Sequence, residues 1–369
     1  MNRTSNLFRR LTSLLLAAAL MAALAIPVFA EGAESSDTVY INSITELLAL
    51  AEKCSVDSWS RGKTVILQQD LTLDQVDWEP IPSFSGAFRG SGHTIRDLEL
   101  TDSYSPAGLF AIVEEGGLVQ DLTVQGYVAP GGEKATLGGI VGINRGTLLN
   151  CQFVGAVSGD SEVGGLVGRN ESTGTVARCT SRSFVSGKSK TGGIVGSNEG
   201  AISSCTNVGA VNTEYQDTTL NLDGISAELL STIREYLGQS TTLTNNAAID
   251  TGGIAGHSTG MILSCTNSGN VGYAHLGYNV GGIVGRTDGS VSGCINQGKI
   301  LGRKDVGGIA GQAEPYQAVD LSQSTIDKLR TELDKLHDLV SDTADVMENS
   351  TDRISGNLDD LNGQMNAAI

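Results

Sequence analysis

The chain has 369 residues, 48 of them glycine and only 6 proline, and its 41 acidic residues outnumber 24 lysines and arginines for a formal net charge of -17. Glycine at roughly twice its ordinary usage with so little proline excludes collagen and proline-rich linkers. The acidic balance argues against a nucleic-acid partner, which would need a broad basic surface, and against adsorption to anionic lipid.

Residues 1–30 read as a signal peptide. Arg3, Arg9 and Arg10 form a basic start, Leu11 to Val28 is mostly apolar, and Val28-Phe29-Ala30 places small residues before a cleavage point ahead of Glu31. A retained membrane anchor is the alternative. No later apolar run reaches spanning length. The expectation is therefore an extracellular protein, secreted or held at the cell surface, with no membrane span after cleavage.

Residues 31–137 read as an N-terminal cap and the first coils of a repeating body. Ser43-Ile44-Thr45-Glu46 has the pattern of a capping box, which predicts a short helix over 44–53. Strands are predicted at 63–67, 71–73, 109–113 and 118–124, with a strand-corner-strand over 84–95. Most of the large aromatics fall here, among them Trp59, Trp78, Phe84, Phe88 and Phe110. Bulky side chains and a helix are what the open end of a stack of coils needs for cover.

From residue 138 to 319 the sequence repeats. Glycine pairs at 138–139, 164–165, 192–193, 252–253, 281–282 and 307–308 are each followed by two small aliphatics and another glycine. The period is about 26 to 29 residues, with one gap of about 60 that is either two periods or one period plus an insertion. Cys151, Cys179, Cys205, Cys265 and Cys294 keep phase with the glycines, and Asn/Gly turn signals fall between. Three short apolar runs per period are too short for helices. They predict an all-β chain, a parallel β-solenoid of about eight or nine coils with Ile, Val and Ala inside. Glycine and asparagine at the corners are expected to supply left-handed backbone.

Residues 212–250 break the period and are read as a helical insertion over roughly 226–237, either a binding element or a helix covering one sheet face. The candidate interaction residues are Tyr215, Asp217, Asp223, Glu228, Arg234 and Tyr236 in this insertion, with Arg145, Arg169, Arg286 and Asp288 at exposed corners of the coils. Over 320–369 glycine becomes rare and apolar residues fall three and four apart between Ile326 and Met365. This predicts a long C-terminal helix with coiled-coil tendency, a stalk that continues beyond Ile369, with 326–365 as a surface for a partner helix or for the solenoid.

The strings Val163-Gly164-Gly165-Leu166-Val167-Gly168 and Thr191-Gly192-Gly193-Ile194-Val195-Gly196, with the stretch Phe84 to Ile95 upstream, resemble the GLUG repeat family of bacterial secreted and surface proteins. The resemblance covers about 80–320. It implies a right-handed parallel β-helix and an adhesin-like role, and similar repeats accompany some immunoglobulin A peptidases. It carries no catalytic residues. The insertion and the helical tail depart from the plain repeat.

Little in the sequence points to catalysis. No His-Glu-x-x-His, Gly-x-Ser-x-Gly or phosphate-loop string is present, and the four histidines share no obvious neighbour. The cysteine column lacks metal-ligand spacing and reads as a buried file of free thiols, with disulfides as the alternative. Neither a cofactor nor a metal is expected, although the acidic insertion and corners such as Asp288 leave calcium open. The functional expectation is an adhesin-like binder of a host or bacterial surface protein or glycan. A structural spacer for a further domain is the second choice, and a polysaccharide-cleaving enzyme the third.

Overall fold

The structure is a computed structural model that describes residues 37–56, 58–132, 134–214, 230–231, 233–234 and 248–314. The leader, the 320–369 segment with its 326–365 stripe, and Tyr215, Asp217, Asp223, Glu228 and Tyr236 lie outside the described residues.

The chain winds into a right-handed parallel β-solenoid whose strands form four parallel sheets running along the axis. One central coil illustrates the order. Ser161–Gly164 belongs to sheet 1, Val167–Asn170 to sheet 2, Thr175–Ala177 to sheet 3 and Thr180–Ser186 to sheet 4. Among the described residues the sheets contain six, seven, nine and eight strands respectively. Every pairing is parallel, so each coil hydrogen-bonds to the one above and the one below at the ~4.8 Å spacing of neighbouring strands.

Four strands per coil, not three, is a correction, and its cause is the glycine pair. The apolar string Gly-Gly-Leu-Val-Gly reads as one run, yet sheet 1 ends at Gly164 and sheet 2 begins at Val167. The chain turns a corner inside the string. A second correction follows. These paired glycines are not in left-handed backbone. A Cβ on Gly192 would strike the Val195 carbonyl oxygen, and one on Gly193 would strike the Gly253 carbonyl oxygen of the next coil. Glycine is there because backbone approaches backbone. Left-handed backbone falls beside the pair, at the second residue of each sheet 1 strand: Thr136, Glu162, Lys190, Asp250, Asn279 and Asp305, with φ between 49° and 60°. Every member of this column costs something in strain, which the surrounding ladder outweighs.

The asparagines also act differently from expectation. Asn144, Asn170 and Asn198 are buried at one corner, and each amide reaches the next: Asn144 Nδ2 donates to Asn170 Oδ1 at 2.7 Å, and Asn170 Nδ2 to Asn198 Oδ1 at 2.8 Å. The same Nδ2 groups also donate to the carbonyls of Gly146 and Gly174. Asn207, Asn267 and Asn296 form a second ladder at 2.8 Å per step. These ladders satisfy corner carbonyls that would otherwise be buried without a partner.

Inside, Val141, Val167, Val195, Ala255 and Val284 stack in one column, and the cysteines stack in another. The backbone N–H of Cys151 donates to Cys179 Sγ, and that of Cys265 to Cys294 Sγ, both at 3.4 Å, so the five thiols of the repeats stand in single file. The gap of 60 is one period plus an insertion, since Gly192 pairs directly with Gly252 and Asn207 with Asn267. The solenoid keeps Asn212 and resumes its pairing at Ile249, which pairs with Ser189. Residues 230–231 and 233–234 are helical. Ile233 is fully buried on the outer face of sheet 4 among Tyr127, Val154, Ala156 and Phe184, and Leu230 packs beside it.

At the N-terminal end the helix α1, Ile44–Lys53, follows Ser43, whose Oγ accepts the Glu46 N–H. Glu46 reaches back to the N–H of Asn42, one residue earlier than a strict capping box. Leu47 and Leu50 bury against the same core as Phe84, Phe88 and Phe110.

Candidate functional site

The corner between sheets 3 and 4 is a second column of left-handed residues: Ser91, Asp121, Asn150, Arg178, Ser204 and Ser264, all with φ of 50–54°. In the repeats, each is the residue immediately before the cysteine. The sharp turn sends the cysteine inward and sets the first residue of sheet 4 outward. Those first residues are in register as Thr94, Thr123, Gln152, Thr180, Thr206 and Thr266. Two polar rows therefore run side by side along the axis.

Between them lies an open groove of about 530 Å³. It crosses four coils, lined by Ser91 and Gly92, then Asp121 to Thr123, then Asn150 to Gln152, then Arg178 and Thr180. Its floor is Leu122 and Cys151, and its walls are hydroxyls and amides. Asp121 is engaged on both oxygens, since Oδ1 accepts from Asn150 Nδ2 at 2.6 Å and Oδ2 from Gln120 Nε2 at 2.9 Å. Arg178 is exposed, and its guanidinium has no hydrogen-bond or ion-pair partner among the described residues.

Deeper in the file, the thiols of Cys179, Cys205 and Cys265 are unsuited to nucleophilic chemistry. Burial pushes Cys179 and Cys205 well above the ordinary thiol value, and hydrogen bonding with Cys205 helps push Cys265 up to about 12. They stay protonated and fill space as small apolar groups.

The corner residues singled out in the sequence lie elsewhere. Arg145, at the corner of sheets 2 and 3, bridges Glu114 at 3.0 Å and Glu171 at 2.8 Å. Arg169 and Arg286 project from the outer face of sheet 2 in one register column with Ser197 and His257. Arg286 pairs with Glu314 at 2.9 Å, and the Nε of Arg169 donates to Glu162 at 2.8 Å. Asp288 sits at the end of sheet 2, and its buried Oδ1 has no hydrogen-bond partner. Arg234 is exposed on the insertion. None of these lines the groove, and Arg145, Arg169 and Arg286 are each engaged in an ion pair.

The most buried of those pairs involves Glu162. Burial alone would raise its carboxyl, but the hydrogen bonds and charges of Arg169 and Lys190 more than offset this and hold it below the ordinary glutamate value. His257, half-buried in the same seam, is held below its ordinary value chiefly by burial. Among the described residues no three His, Cys, Asp or Glu side chains are grouped as a metal ion would require, and none of the described helices is long and apolar enough to cross a membrane.

Sequence reasoning missed Asp121, Asn150 and Arg178. The signal available was the place of Asn150 and Arg178 immediately before a cysteine, and of Asp121 one period earlier, before Leu122. Their side chains have nothing in common, so no residue type marked the column.

No family model matches the chain. Halomucin of Haloquadratum walsbyi is 31% identical over 144 residues, which is 36% of this chain, and the chain spans about 2% of halomucin's length. Among solved structures, a candidate immunoglobulin A1 protease from Bacteroides ovatus superposes with a TM-score of 0.42 at 16% identity, covering 73% of this chain and 70% of that one.

Proposed function

We propose that the protein is a secreted or cell-surface, adhesin-like binder that uses its solenoid as a rigid rail and the groove between sheets 3 and 4 as the binding surface. The observation that carries this reading is the continuity of the groove over four coils. Its rows of hydroxyls and amides are fixed in register by the backbone ladder beneath them. A rail of this kind adds many weak polar contacts, each worth about 1 kcal/mol net, on a backbone that is already ordered before binding. The charged leader of residues 1–30 and the GLUG-like strings support an extracellular setting.

Binding without catalysis fits the groove's chemistry. Glycoside cleavage uses two carboxyl groups facing each other across the bond, and the lining holds one carboxylate, Asp121, already engaged by two amides. The test is a glycan and matrix-protein array probed with the wild type, with a Thr123→Ala/Gln152→Ala/Thr180→Ala variant, and with a variant lacking 213–248. Loss of the wild-type hits in the triple variant alone supports the groove. Loss only on deletion of the insertion moves the site there. Unchanged hits in both variants overturn the reading.

A further inference from the structure

We infer that the groove takes an unbranched, carboxylated polysaccharide lying along the solenoid axis, with an acidic sugar over Arg178. This rests on the groove being the binding surface. Three features of the lining lead to it.

The first is direction. The groove runs across the strands, and the backbone N–H and C=O groups of its walls are already committed to the coils above and below, as in Thr180 N–H to Cys151 O and Gln152 N–H to Leu122 O, both 2.9 Å. A peptide laid in it would find no ladder to join and would leave its own amides unpaired. A chain of sugars carries its polar groups as hydroxyls on a rigid ring, and these match the side-chain hydroxyls and amides of Ser91, Thr123, Asn150, Gln152 and Thr180.

The second is charge. Asp121 is the groove's one carboxylate, and each of its oxygens already accepts a hydrogen bond, from Asn150 and Gln120. It stands two coils from Arg178, about 10 Å away at the spacing of stacked strands, too far to neutralise it in water. Arg178 is therefore an uncompensated cation among neutral donors and acceptors, with the planar fork that pairs with a carboxylate. The strongly negative protein repels polyanions in general, so an acidic polymer is admitted only where Arg178 meets its charge.

The third is the lack of an aromatic ring in the lining. Neutral sugar polymers gain much of their affinity by laying apolar ring faces on aromatic side chains. Here hydrogen bonds and the single ion pair must do the selecting.

Oligogalacturonate, its carboxyl-reduced neutral counterpart and a poly-glutamate peptide of similar length serve as probes in titration calorimetry. They are measured against the wild type, Arg178→Ala and the Thr123→Ala/Gln152→Ala/Thr180→Ala variant, with Arg145→Ala as a surface-charge control. The expected result is oligogalacturonate binding that weakens about tenfold or more in Arg178→Ala and with added salt, with the neutral polymer bound no better than by that variant and Arg145→Ala unchanged. Equal binding of acidic and neutral polymers that the triple variant abolishes would overturn the acidic assignment and leave the groove. Poly-glutamate bound more tightly through Arg178 would overturn the glycan assignment. If no probe binds, the acidic-polysaccharide assignment fails. The array then decides separately whether the groove reading stands.

Discussion

The first coils and the repeating coils fill their interiors by different means. In the first, the core is a cluster of large rings. Phe88 packs against Phe84 at 6.2 Å and Phe110 at 5.5 Å between centroids, Trp78 is buried nearby, and α1 closes the end. No residue there has to match the one above it. In the repeats the core is a set of columns of identical or similar residues, with valine over valine, cysteine over cysteine and amide over amide. The cap is specified by shape, as an ordinary globular core is, whereas the repeats are specified by register. A register-specified core uses glycine where two backbones touch and asparagine where corner carbonyls need donors, which is why those two residues dominate its sequence.

Substitutions that harm one region and spare the other sharpen this contrast. Phe88→Ala is expected to have the largest effect, a loss of about 3–5 kcal/mol measured by denaturant unfolding, because neighbouring rings cannot collapse into the space. Fragments of the repeats should retain their protection from hydrogen exchange, since each coil contacts only its neighbours. Gly193→Ala should follow at about 3 kcal/mol. Its methyl group meets the Gly253 carbonyl and the Asn207 amide, and relieving the clash means moving two coils apart. Protection should then be lost on both sides of coil 193 while α1 stays closed. Asn267→Ala should cost about 2 kcal/mol, since it leaves the Asn207 amide without its acceptor and removes the donor to Asn296.

The smallest effect concerns the seam. Glu162→Gln should cost about 1–2 kcal/mol at neutral pH, because it weakens the contacts to Arg169 and Lys190, both partly in solvent. The folded carboxyl lies below its ordinary value, so its stabilisation is fully present above the unfolded value of about 4.3 and is lost as pH falls through the folded one. The gap between wild type and variant should close in acid. A gap that stays constant from neutral pH into strong acid would mean the ion contacts contribute nothing.

What could be read in the sequence follows from the same contrast. The glycine and cysteine columns were legible because register demands the same residue at the same phase in every coil, and α1 was legible because Ser43 and Glu46 signal its start locally. The fourth strand was hidden, since the corner between sheets 1 and 2 falls within an apolar string. The run 118–124 hid another corner in the same way, between Leu118–Gln120 and Thr123–Val128. Glycine and asparagine hold some left-handed positions, such as Gly92, Asn150 and Asn279, but Thr136, Glu162, Lys190 and Asp250 hold others and share a backbone conformation and no chemistry, so the column as a whole was not legible. The groove was invisible for the same reason. Its column comprises Ser91, Asp121, Asn150 and Arg178, which only the turn geometry unites.

The central claim is that residues a full period apart stand directly above one another, including across the inserted segment. Val208 and Ser268 are both exposed, follow the stacked pair Asn207 and Asn267, and belong to adjacent coils, whereas Gln297 belongs to the coil beyond. In a Cys294→Ala background, where the remaining native thiols are buried, a Val208→Cys/Ser268→Cys pair treated with a thiol cross-linker of about 5 Å span should join in high yield, as the strand spacing requires. A Val208→Cys/Gln297→Cys pair, two coils apart, should not. Efficient joining of the second pair and not the first would contradict the stacking on which the fold, the groove and its ligand all depend.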